Sequence, residues 1–397
     1  MNTMSNLTPF RPNYHLIGTK GCRSKMRIAE WLTYAGIDQL KQLHRYYGCE
    51  QTDQHSKHEL ICSLLRQISK KSYIHNLLEG CSTTELRFIE LITLDPSPAY
   101  TMEELLAKGR AALCGEEGTP RSFVVAALKK GWLFPGYSHQ TQYLYHMPSD
   151  TREQIQQAFV QSYIPFQQSN SPSCYRDEEN QMVYDLQRFL QYLQQDIVKL
   201  TQDQAIYRQQ CKQLLQTFAI PEEPIKSGGP RFGFGRMYHL YPNRFSLLYD
   251  YAYYEKYILE EEQGYLGVTS VGSERCSHLG VQEGKQLYRF WIRLYRRPIP
   301  QLPIILRWIG LLSYPNWISV SAIYQAVSPW LKPFYYETEK SLFQKIMEML
   351  VHLGVGKWGE ENQEAYFTLT SNGIRWMHGV SAFGEQTIEE GFIQPPK

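Results

Sequence analysis

The sequence predicts a mainly α-helical protein with small β-hairpins, which places it in the α+β class. Three observations lead to this prediction. Hydrophobic residues make up 43% of the 397 residues and charged residues 20%, which is enough apolar material for packed cores. Helix signals followed by a hairpin occur in the same order in two parts of the chain. Glycine ends the second helix of each part, at Gly131 and at Gly354.

The N-terminal region, residues 1–95, is predicted to be helical. Apolar side chains recur at helical spacing from Ile28 onwards, and a second amphipathic segment runs from Lys57 to Leu65. Ser82 and Glu85 form a capping box, in which each side chain bonds the other residue's backbone N–H group. This pair predicts the start of a further helix near the end of the region.

Residues 96–165 carry the signals of a winged helix, a helix-turn-helix variant in which two helices precede a two-stranded hairpin. In chain order the signals are a capping box at Thr101–Glu104, an N-cap with proline at Thr119–Pro120, a helix end at Gly131 and a hairpin over Trp132–Met147 with a turn at Pro135–Gly136. We therefore predict one winged-helix module here.

Residues 301–380 repeat this order and predict a C-terminal winged-helix module. The signals are a short helix near Ile323–Val327, a strong helix over Glu337–Leu353, a helix end at Gly354, strands at Val355–Trp358 and Ala365–Leu369, and a turn at Gly359–Gln363. Three positions of the two copies match at one offset of 223 residues: Gly131 with Gly354, Gly136 with Gly359, and Tyr143 with Tyr366. Glycine suits a helix end with positive φ and a hairpin turn, so the match indicates an internal repeat.

A third copy is predicted in the middle module, residues 176–300. A helical stripe over Val183–Leu193 is followed by the β-branched run Ile197–Thr201 and by a second helix over Ile206–Phe218. One long coiled-coil-like helix over Asp177–Phe218 is the alternative. The broken arrangement is favoured, because β-branched residues are poor helix interior.

The remaining segments of the middle part are assigned by composition and periodicity. Glu260–Glu262 is interpreted as a solvated helix end, and a further helix is predicted over Val281–Leu294. Segments rich in proline, glycine and polar residues, Pro165–Arg176 and Pro221–Pro242, are predicted linkers. Residues 381–397 form a tail.

Three segments give the chain a resemblance to a known family. They are Phe189–Leu193 with Val198–Thr201, Tyr143–Pro148, and Ala365–Gly373. On these residues the chain resembles the bacterial helicase-associated proteins that are similar to the N-terminal region of the XPB/Ssl2 helicases. The resemblance covers most of residues 26–380 diffusely and implies tandem winged helices that accompany a DNA helicase. The chain departs from those helicases because it has no motor: the phosphate-binding pattern GxxxxGK followed by Ser or Thr is absent.

No catalytic, cofactor or metal site is predicted. Eleven histidines and eight cysteines are scattered without a catalytic or ligand spacing, and no CxxC pair occurs. We therefore expect a non-enzymatic protein without a small-molecule substrate. The start of the chain does not read as a signal peptide, and no continuous apolar run is long enough to span a bilayer, so we expect a cytoplasmic protein with free thiols and no membrane partner.

Basic residues are unevenly distributed although the net charge is only +2. Residues 1–75 hold eleven Lys and Arg against five Asp and Glu, and residues 285–345 hold nine against two. Four arginines between 289 and 297, and two in the glycine-rich stretch 228–236, lie among aromatic residues. This pattern suits phosphate contact combined with stacking on bases. The alternative for the arginines between 289 and 297 is an amphipathic helix whose arginine stems cover apolar surface. The alternative for the glycine-rich stretch is a purely structural loop.

In a winged helix the second long helix enters the major groove and the hairpin touches the backbone. The candidate nucleic-acid-binding residues are therefore Arg121, Lys129, Lys130, Arg231, Arg236, Arg289, Arg293, Arg296, Arg297, Lys340, Lys345 and Lys357. We expect a DNA-binding accessory to a helicase or other DNA-processing complex. The alternative is a protein-interaction scaffold without direct DNA contact, because acidic residues crowd the last module, at positions 337, 339, 348, 360, 361 and 364.

Overall fold

The computed structural model describes residues 26–49, 56–225, 231–278, 280–334, 337–380 and 382–393. This part of the chain is mainly helical, with three small antiparallel sheets, so the predicted α+β class is confirmed. None of the helices described there combines the length and the apolar character that crossing a membrane requires.

The described part of the N-terminal region, residues 26–49 and 56–95, is mainly helical, as predicted. Its helices are α1 (Ile28–Tyr34), α2 (Ile37–Tyr46), α3 (Lys57–Ile68) and α4 (Lys71–Glu79). Ser56 caps α3, because its hydroxyl accepts the Glu59 N–H at 3.2 Å. Trp31 and Leu64 lie in a small apolar cluster of α1 to α3, which Phe134 of the following unit joins. The N-terminal helices are thus attached to the rest of the chain through apolar contact.

The first of three similar units follows. Its elements are α5 (Thr83–Leu94), β1 (Tyr100–Thr101), α6 (Met102–Leu113), α7 (Pro120–Lys129), β2 (Phe134–Pro135) and β3 (Leu144–His146). The capping boxes predicted at Ser82 and Thr101 start α5 and α6, and α7 begins at Pro120 as predicted. The strands form an antiparallel sheet in the order β1–β3–β2. The boundary predicted between residues 95 and 96 lies between α5 and β1.

The connection to the second unit is also part of a sheet. It contains α8 (Ser149–Gln161), a 3₁₀ turn (Ile164–Phe166), β4 (Gln167–Gln168) and β5 (Cys174–Arg176). β4 and β5 fall in the segment predicted as a linker, Pro165–Arg176. They pair with the two outer strands of the last unit's own sheet, one at each edge. The linker therefore satisfies backbone groups that both edges would otherwise leave unpaired.

The second unit confirms the broken helix arrangement. Its elements are α9 (Gln181–Gln195), β6 (Val198–Lys199), α10 (Arg208–Thr217), α11 (Asn243–Tyr254), β7 (Ile258–Glu261) and β8 (Tyr265–Val268), with α12 (Ser270–Cys276) and α13 (Val281–Tyr295) after them. The sheet order is β6–β8–β7, the same as in the first unit. The interpretation of Glu260–Glu262 as a helix end is wrong, because Glu260 and Glu261 belong to β7, which pairs with β8.

The third unit has the predicted helices and hairpin. Its elements are α14 (Leu302–Leu312), β9 (Trp317–Ser319), α15 (Val320–Val327), α16 (Glu339–His352), β10 (Gly356–Glu361) and β11 (Glu364–Leu369), followed by α17 (Ser371–Gly379) and α18 (Glu390–Ile393). With the edge strands, its sheet has the order β4–β9–β11–β10–β5. Gly359 lies inside β10 rather than at the predicted turn, which is made by Asn362 and Gln363 with φ of 50° and 66°.

All three units end the helix before the hairpin in the same way. The residue after the C-cap has positive φ: Gly131 at 65°, Lys256 at 59° and Gly354 at 68°. The next N–H group bonds the carbonyl five residues earlier: Trp132 to Ala127 at 2.9 Å, Tyr257 to Ala252 at 2.7 Å, and Val355 to Leu350 at 2.9 Å. This bond belongs to the Schellman motif, which turns the chain sharply into the first hairpin strand.

A second shared feature follows the hairpins of the second and third units. Thr269 and Thr370 cap α12 and α17 by accepting the N–H groups of Gly272 at 3.0 Å and Gly373 at 2.9 Å. A Cβ on these glycines would lie 2.1 and 1.9 Å from the carbonyl oxygen of the residue after the positive-φ position. The sequence Thr-Ser-x-Gly therefore packs the new helix directly onto the Schellman turn.

One continuous hydrophobic core runs through the three units. The first and last units are also joined by the largely buried Glu90 of α5. Its Oε2 accepts the indole N–H of Trp308 at 3.1 Å and that of Trp330 at 2.7 Å. Burial raises the pKa of Glu90 to about 7, although the two indole hydrogen bonds and Arg87 favour the charged form. This junction therefore contains a carboxyl group that titrates near neutral pH.

Substitutions at the positive-φ positions are expected to act in opposite directions. Lys256→Gly should raise the urea midpoint of unfolding, because the left-handed region costs a non-glycine residue roughly 1 kcal/mol. Gly354→Ala should lower it more strongly, because its Cβ would lie 1.7 Å from the Glu179 carbonyl oxygen. Urea unfolding followed by circular dichroism measures both changes. Unchanged midpoints in both variants would contradict the shared helix end.

Glu90→Gln should reduce the dependence of stability on pH. The pKa of Glu90 is higher in the folded chain than its ordinary value of 4.5, so its contribution is complete below pH 4.5 and is lost as the pH rises through about 7. The loss amounts to at most about 3 kcal/mol. Glutamine does not ionise, so between pH 5 and pH 8 the variant should lose less stability than the wild type.

The matched control is Glu153→Gln, which changes an exposed carboxylate on α8. Its urea midpoints should follow the wild-type pH curve. Parallel pH curves for wild type and Glu90→Gln would show that this carboxyl group does not titrate in the junction.

Candidate nucleic-acid interface

Helix α7 of the first unit presents one apolar and one basic side. Phe123, Val124 and Ala127 are buried in the core, whereas Arg121 and Lys129 are exposed on the opposite side. In the described part of the chain, neither cation forms an ion pair or hydrogen bond through its side chain. Both charges are therefore available to an anionic ligand.

The C-terminal end of α7 is held by α2. The Tyr47 hydroxyl donates to the Lys130 carbonyl oxygen at 2.8 Å. The Lys130 ammonium lies 4.9 Å from the Trp132 ring centre and 3.2 Å from Cys81 Sγ, and the side chain is partly buried. Of the three cations nominated in this unit, Arg121 and Lys129 thus face the solvent more fully than Lys130.

The hairpin loop of the first unit, residues 136–143, exposes aromatic rings. Tyr137 is 56% exposed and Tyr143 is 71% exposed. Tyr137 stacks on Tyr34 of α1, with ring centres 4.2 Å apart and planes 13° from parallel. Exposed stacked rings are suited to contact with nucleotide bases. The sequence gives no local signal for this pair beyond the high tyrosine content, because the two residues are far apart in the chain.

The corresponding helices of the other two units are more enclosed than α7. Every residue of α11 is buried or half-buried, and α16 exposes only Lys340, Gln344 and Glu348. One side of α16 faces the second unit, where Phe232, Trp291 and other residues line a small pocket with it. Helix α11 therefore has no exposed side, and the narrow exposed side of α16 carries one basic and one acidic residue, so it lacks the excess of positive charge found on α7.

A buried charge network holds α11 and α16 together. Arg244 of α11 is 0% exposed, and its Nη1 lies 2.7 Å from Asp185 Oδ2 of α9. Its Nε lies 3.3 Å from Glu178 Oε2, and His352 Nδ1 of α16 lies 3.1 Å from Glu178 Oε1. Arg176 pairs with the same carboxylate. No local sequence signal indicates these residues, because the network joins side chains from the loop before α9, from α9, from α11 and from α16, which are far apart in the chain.

The network shifts the pKa of two of its members. Burial by itself would lower the pKa of His352, but hydrogen bonds to Glu178 and Glu348 outweigh burial and raise the pKa above its ordinary 6.5. Burial would raise the pKa of Glu178, but the hydrogen bond to His352 and the charges of His352, Arg244 and Arg176 hold it below its ordinary 4.5. The contact is therefore an ion pair in weakly acidic solution.

The nominated lysines of the third unit differ in their contacts. Lys345 pairs with Glu337 at 2.5 Å and lies 4.8 Å from the Phe232 ring centre. Lys357 of β10 pairs with Asp177 at 2.6 Å. Lys340 is exposed, and its side chain has no acidic partner among the residues that the structure describes. Most of the nominated charge in this unit is therefore neutralised internally.

The glycine-rich stretch is described from Arg231 onwards, and residues 228–230 lie outside the described residues. The Arg236 guanidinium is 6% exposed and forms a bidentate pair with Glu260, at 3.1 and 2.9 Å. Arg231 donates to the Tyr241 carbonyl and to Asn243 Oδ1, each at 2.9 Å. Both arginines are thus bonded within the protein, which is the arrangement of a structural loop.

The four arginines around the end of α13 lie beside the C-terminal segment. Arg289 forms an ion pair with Glu385, Arg293 donates to the Gln386 carbonyl at 3.2 Å, and Arg296 donates to the Glu385 carbonyl. Arg297 is exposed at the end of this series. Residues 382–393 of the predicted tail, 381–397, therefore cover much of the basic surface that the sequence assigned to DNA; residues 381 and 394–397 lie outside the described residues.

The structure thus places Arg121 and Lys129 on α7 and Lys130 at its C-cap, whereas the other nominated residues belong to the second and third units. Comparisons with protein-family models, curated proteins and solved structures give no match. The resemblance to the helicase-associated proteins stays a prediction from the sequence.

Glu178→Gln is expected to destabilise the protein by about 3 kcal/mol near pH 5.5, because it leaves Arg244 and His352 without their shared carboxylate. The His352 contribution is complete below pH 6.5 and is lost as the pH rises through its raised pKa. The Glu178 contribution is present above pH 4.5 and is lost as the pH falls through its lowered pKa. Urea unfolding at pH 5.5 and 8.5 should show a smaller deficit at pH 8.5.

Glu274→Gln, on the exposed side of α12, serves as the control and should leave the midpoint unchanged at both pH values. A Glu178→Gln deficit of equal size at the two pH values would rule out the charged His352 pairing.

Proposed function

We propose that the protein is a non-enzymatic, tandem winged-helix protein that binds DNA through its first module, as an accessory to a helicase or another DNA-processing complex. One observation carries the proposal: α7 exposes two cations that have no partner among the described residues, whereas α11 exposes no residue and the exposed side of α16 carries one lysine and one glutamate. The element order helix, strand, helix, helix and hairpin in each unit, with the first strand paired to the last, supports the winged-helix assignment.

The dimensions of α7 suit a major groove. Arg121 and Lys129 are eight residues apart, which corresponds to about 12 Å along a helix. The major groove of B-DNA is also about 12 Å wide, so the two side chains are placed to reach phosphates on opposite walls. In this arrangement the two cations of α7 orient the protein on the DNA and contribute to its affinity for DNA. The exposed residues between them contact base edges.

The hairpin loop extends the proposed surface. In a winged helix the hairpin contacts the nucleic-acid backbone next to the helix. Tyr137, Tyr143 and Tyr34 would supply rings for stacking where bases are unpaired. A site that combines a groove-binding helix with a stacking platform is suited to a junction between duplex and single strand. That preference supports the proposed role beside a helicase.

Arg121→Ala combined with Lys129→Ala should weaken binding to a duplex with a single-stranded end about tenfold at low salt. Each phosphate contact contributes about 0.9 to the slope of log affinity against log salt, so the slope should decrease by about 2. Fluorescence anisotropy at several salt concentrations measures both quantities. Failure of the wild type to bind any DNA at low salt would retire the proposal.

The matched control is Arg208→Ala combined with Lys212→Ala. These cations are exposed on α10 of the second module, and their replacement removes the same net charge. The control should keep the wild-type affinity and slope. Equal weakening by both double variants would mean that binding depends on total charge and not on α7.

A protein-interaction scaffold is the second candidate, and the acidic hairpin of the third module favours it. Glu360 and Glu364 are exposed on β10 and β11, with Glu361 at the turn beside them. This surface repels phosphate and suits a basic protein partner. A stoichiometric partner that survives nuclease treatment and is lost on Glu360→Lys, together with no DNA binding, would favour the scaffold.

A further inference from the structure

Three arginines of the α13 end hold two consecutive residues of the C-terminal segment. Arg289 grips the Glu385 carboxylate with two bonds, Nε to Oε1 at 2.9 Å and Nη2 to Oε2 at 3.2 Å. Arg296 donates to the carbonyl of Glu385, and Arg293 donates to that of Gln386 at 3.2 Å. The three donor side chains lie on one side of the helix, because residues 289, 293 and 296 repeat at the spacing of one helix face.

Apolar contacts position the segment on this row. The Ile388 side chain is buried, and its N–H donates to the Arg293 carbonyl at 3.3 Å. The Phe392 ring lies 5.4 Å from the ring of Tyr254 and 6.2 Å from that of Phe290. The segment is therefore seated at a defined register on the middle unit.

The chemistry of this contact is that of an anion site. A guanidinium that grips a carboxylate with two parallel bonds has the same fork geometry with which arginine binds phosphate. Carbonyl acceptors hold the other two arginines, so those two charges are bonded but not neutralised by the segment. The segment thus supplies one carboxylate to three guanidinium groups, and Glu255 at the end of α11 also interacts with Arg289 and Arg293.

We propose that residues 382–393 are a displaceable cover over a second phosphate-binding surface, formed by Arg289, Arg293, Arg296 and Arg297, and that displacement raises the affinity for DNA. The choice of DNA as the ligand rests on the proposed function. The cover acts as an internal competitor: Glu385 occupies the position that a backbone phosphate takes when the segment leaves.

The contacts are weak enough to be exchanged. One carboxylate provides the charge, and its partner Arg289 is 41% exposed, so water and salt screen the pair. The cover stays closed because it is tethered, which gives it a high effective concentration. A polyanion that is already bound to the first module also has a high effective concentration near the arginines, and it therefore competes with the cover for them.

The test uses Glu385→Arg in the full chain, which places a positive charge against Arg289 while Ile388 and Phe392 remain. This variant should bind DNA about tenfold more tightly than the wild type at moderate salt. Its slope of log affinity against log salt should be steeper by about 3, because about three further phosphates are contacted. Hydrogen exchange of residues 382–393 should become faster in the variant.

Glu389→Arg is the matched control. It makes the same charge change in the same segment, at an exposed residue whose side chain contacts none of the described arginines. It should leave affinity, slope and hydrogen exchange close to wild type. An equal gain in affinity for Glu385→Arg and Glu389→Arg would overturn the proposal, because the gain would then come from net charge alone.

A second variant tests whether the increase in DNA affinity depends on the arginines. Arg289→Ala and Arg293→Ala, added to Glu385→Arg, should abolish the extra affinity and the extra slope. If they do not, the proposal is overturned. Failure of the two proposals is distinguishable: DNA binding only by Glu385→Arg supports the cover and refutes α7, whereas wild-type binding through α7 without a gain in Glu385→Arg refutes the cover alone.

Discussion

A single backbone hydrogen bond determines where each unit changes from helix to hairpin. The bond closes over a residue with positive φ. It turns the chain away from the helix axis, so that the first hairpin strand begins directly after the helix. Sheets, capping threonines and the packing of α12 and α17 all take their positions from this turn. Glycine suits the position, yet Lys256 occupies it in the second unit, because the surrounding contacts outweigh the local cost.

The three units share this turn but use their long helix differently. In the first unit α7 keeps one side in solvent, whereas α11 is enclosed where the second and third units meet and α16 exposes only a narrow side there. The enclosure requires burial of polar groups, and the network around Arg244 compensates for it with carboxylates from separate elements. The helix before the hairpin thus contributes more of its surface to the core in the second and third units than in the first.

The basic surfaces illustrate why counting charges along a sequence is a poor guide to a binding face. Residues 285–345 are strongly basic by composition, but Arg289, Arg293 and Arg296 contact the C-terminal segment, and Lys345 contacts Glu337. Arg236 is likewise paired with Glu260, a residue whose strand the local pattern did not reveal. In each of the two ion pairs Arg289–Glu385 and Arg236–Glu260 the acidic partner is more than twenty positions away. A count of charges over neighbouring residues therefore does not include the carboxylate that neutralises the arginine.

The sequence alone determined the elements whose signals are local. Capping boxes placed the starts of α5 and α6, proline placed the start of α7, and glycines marked two of the three positive-φ helix ends, because all of these depend on residues within one turn. Tertiary structure decided the pairing of Pro165–Arg176 with both edges of the last sheet, the burial of α11 and of most of α16, and the seating of the C-terminal segment on α13. These features depend on contacts between residues distant in the chain, and their energies arise only when the units are packed together.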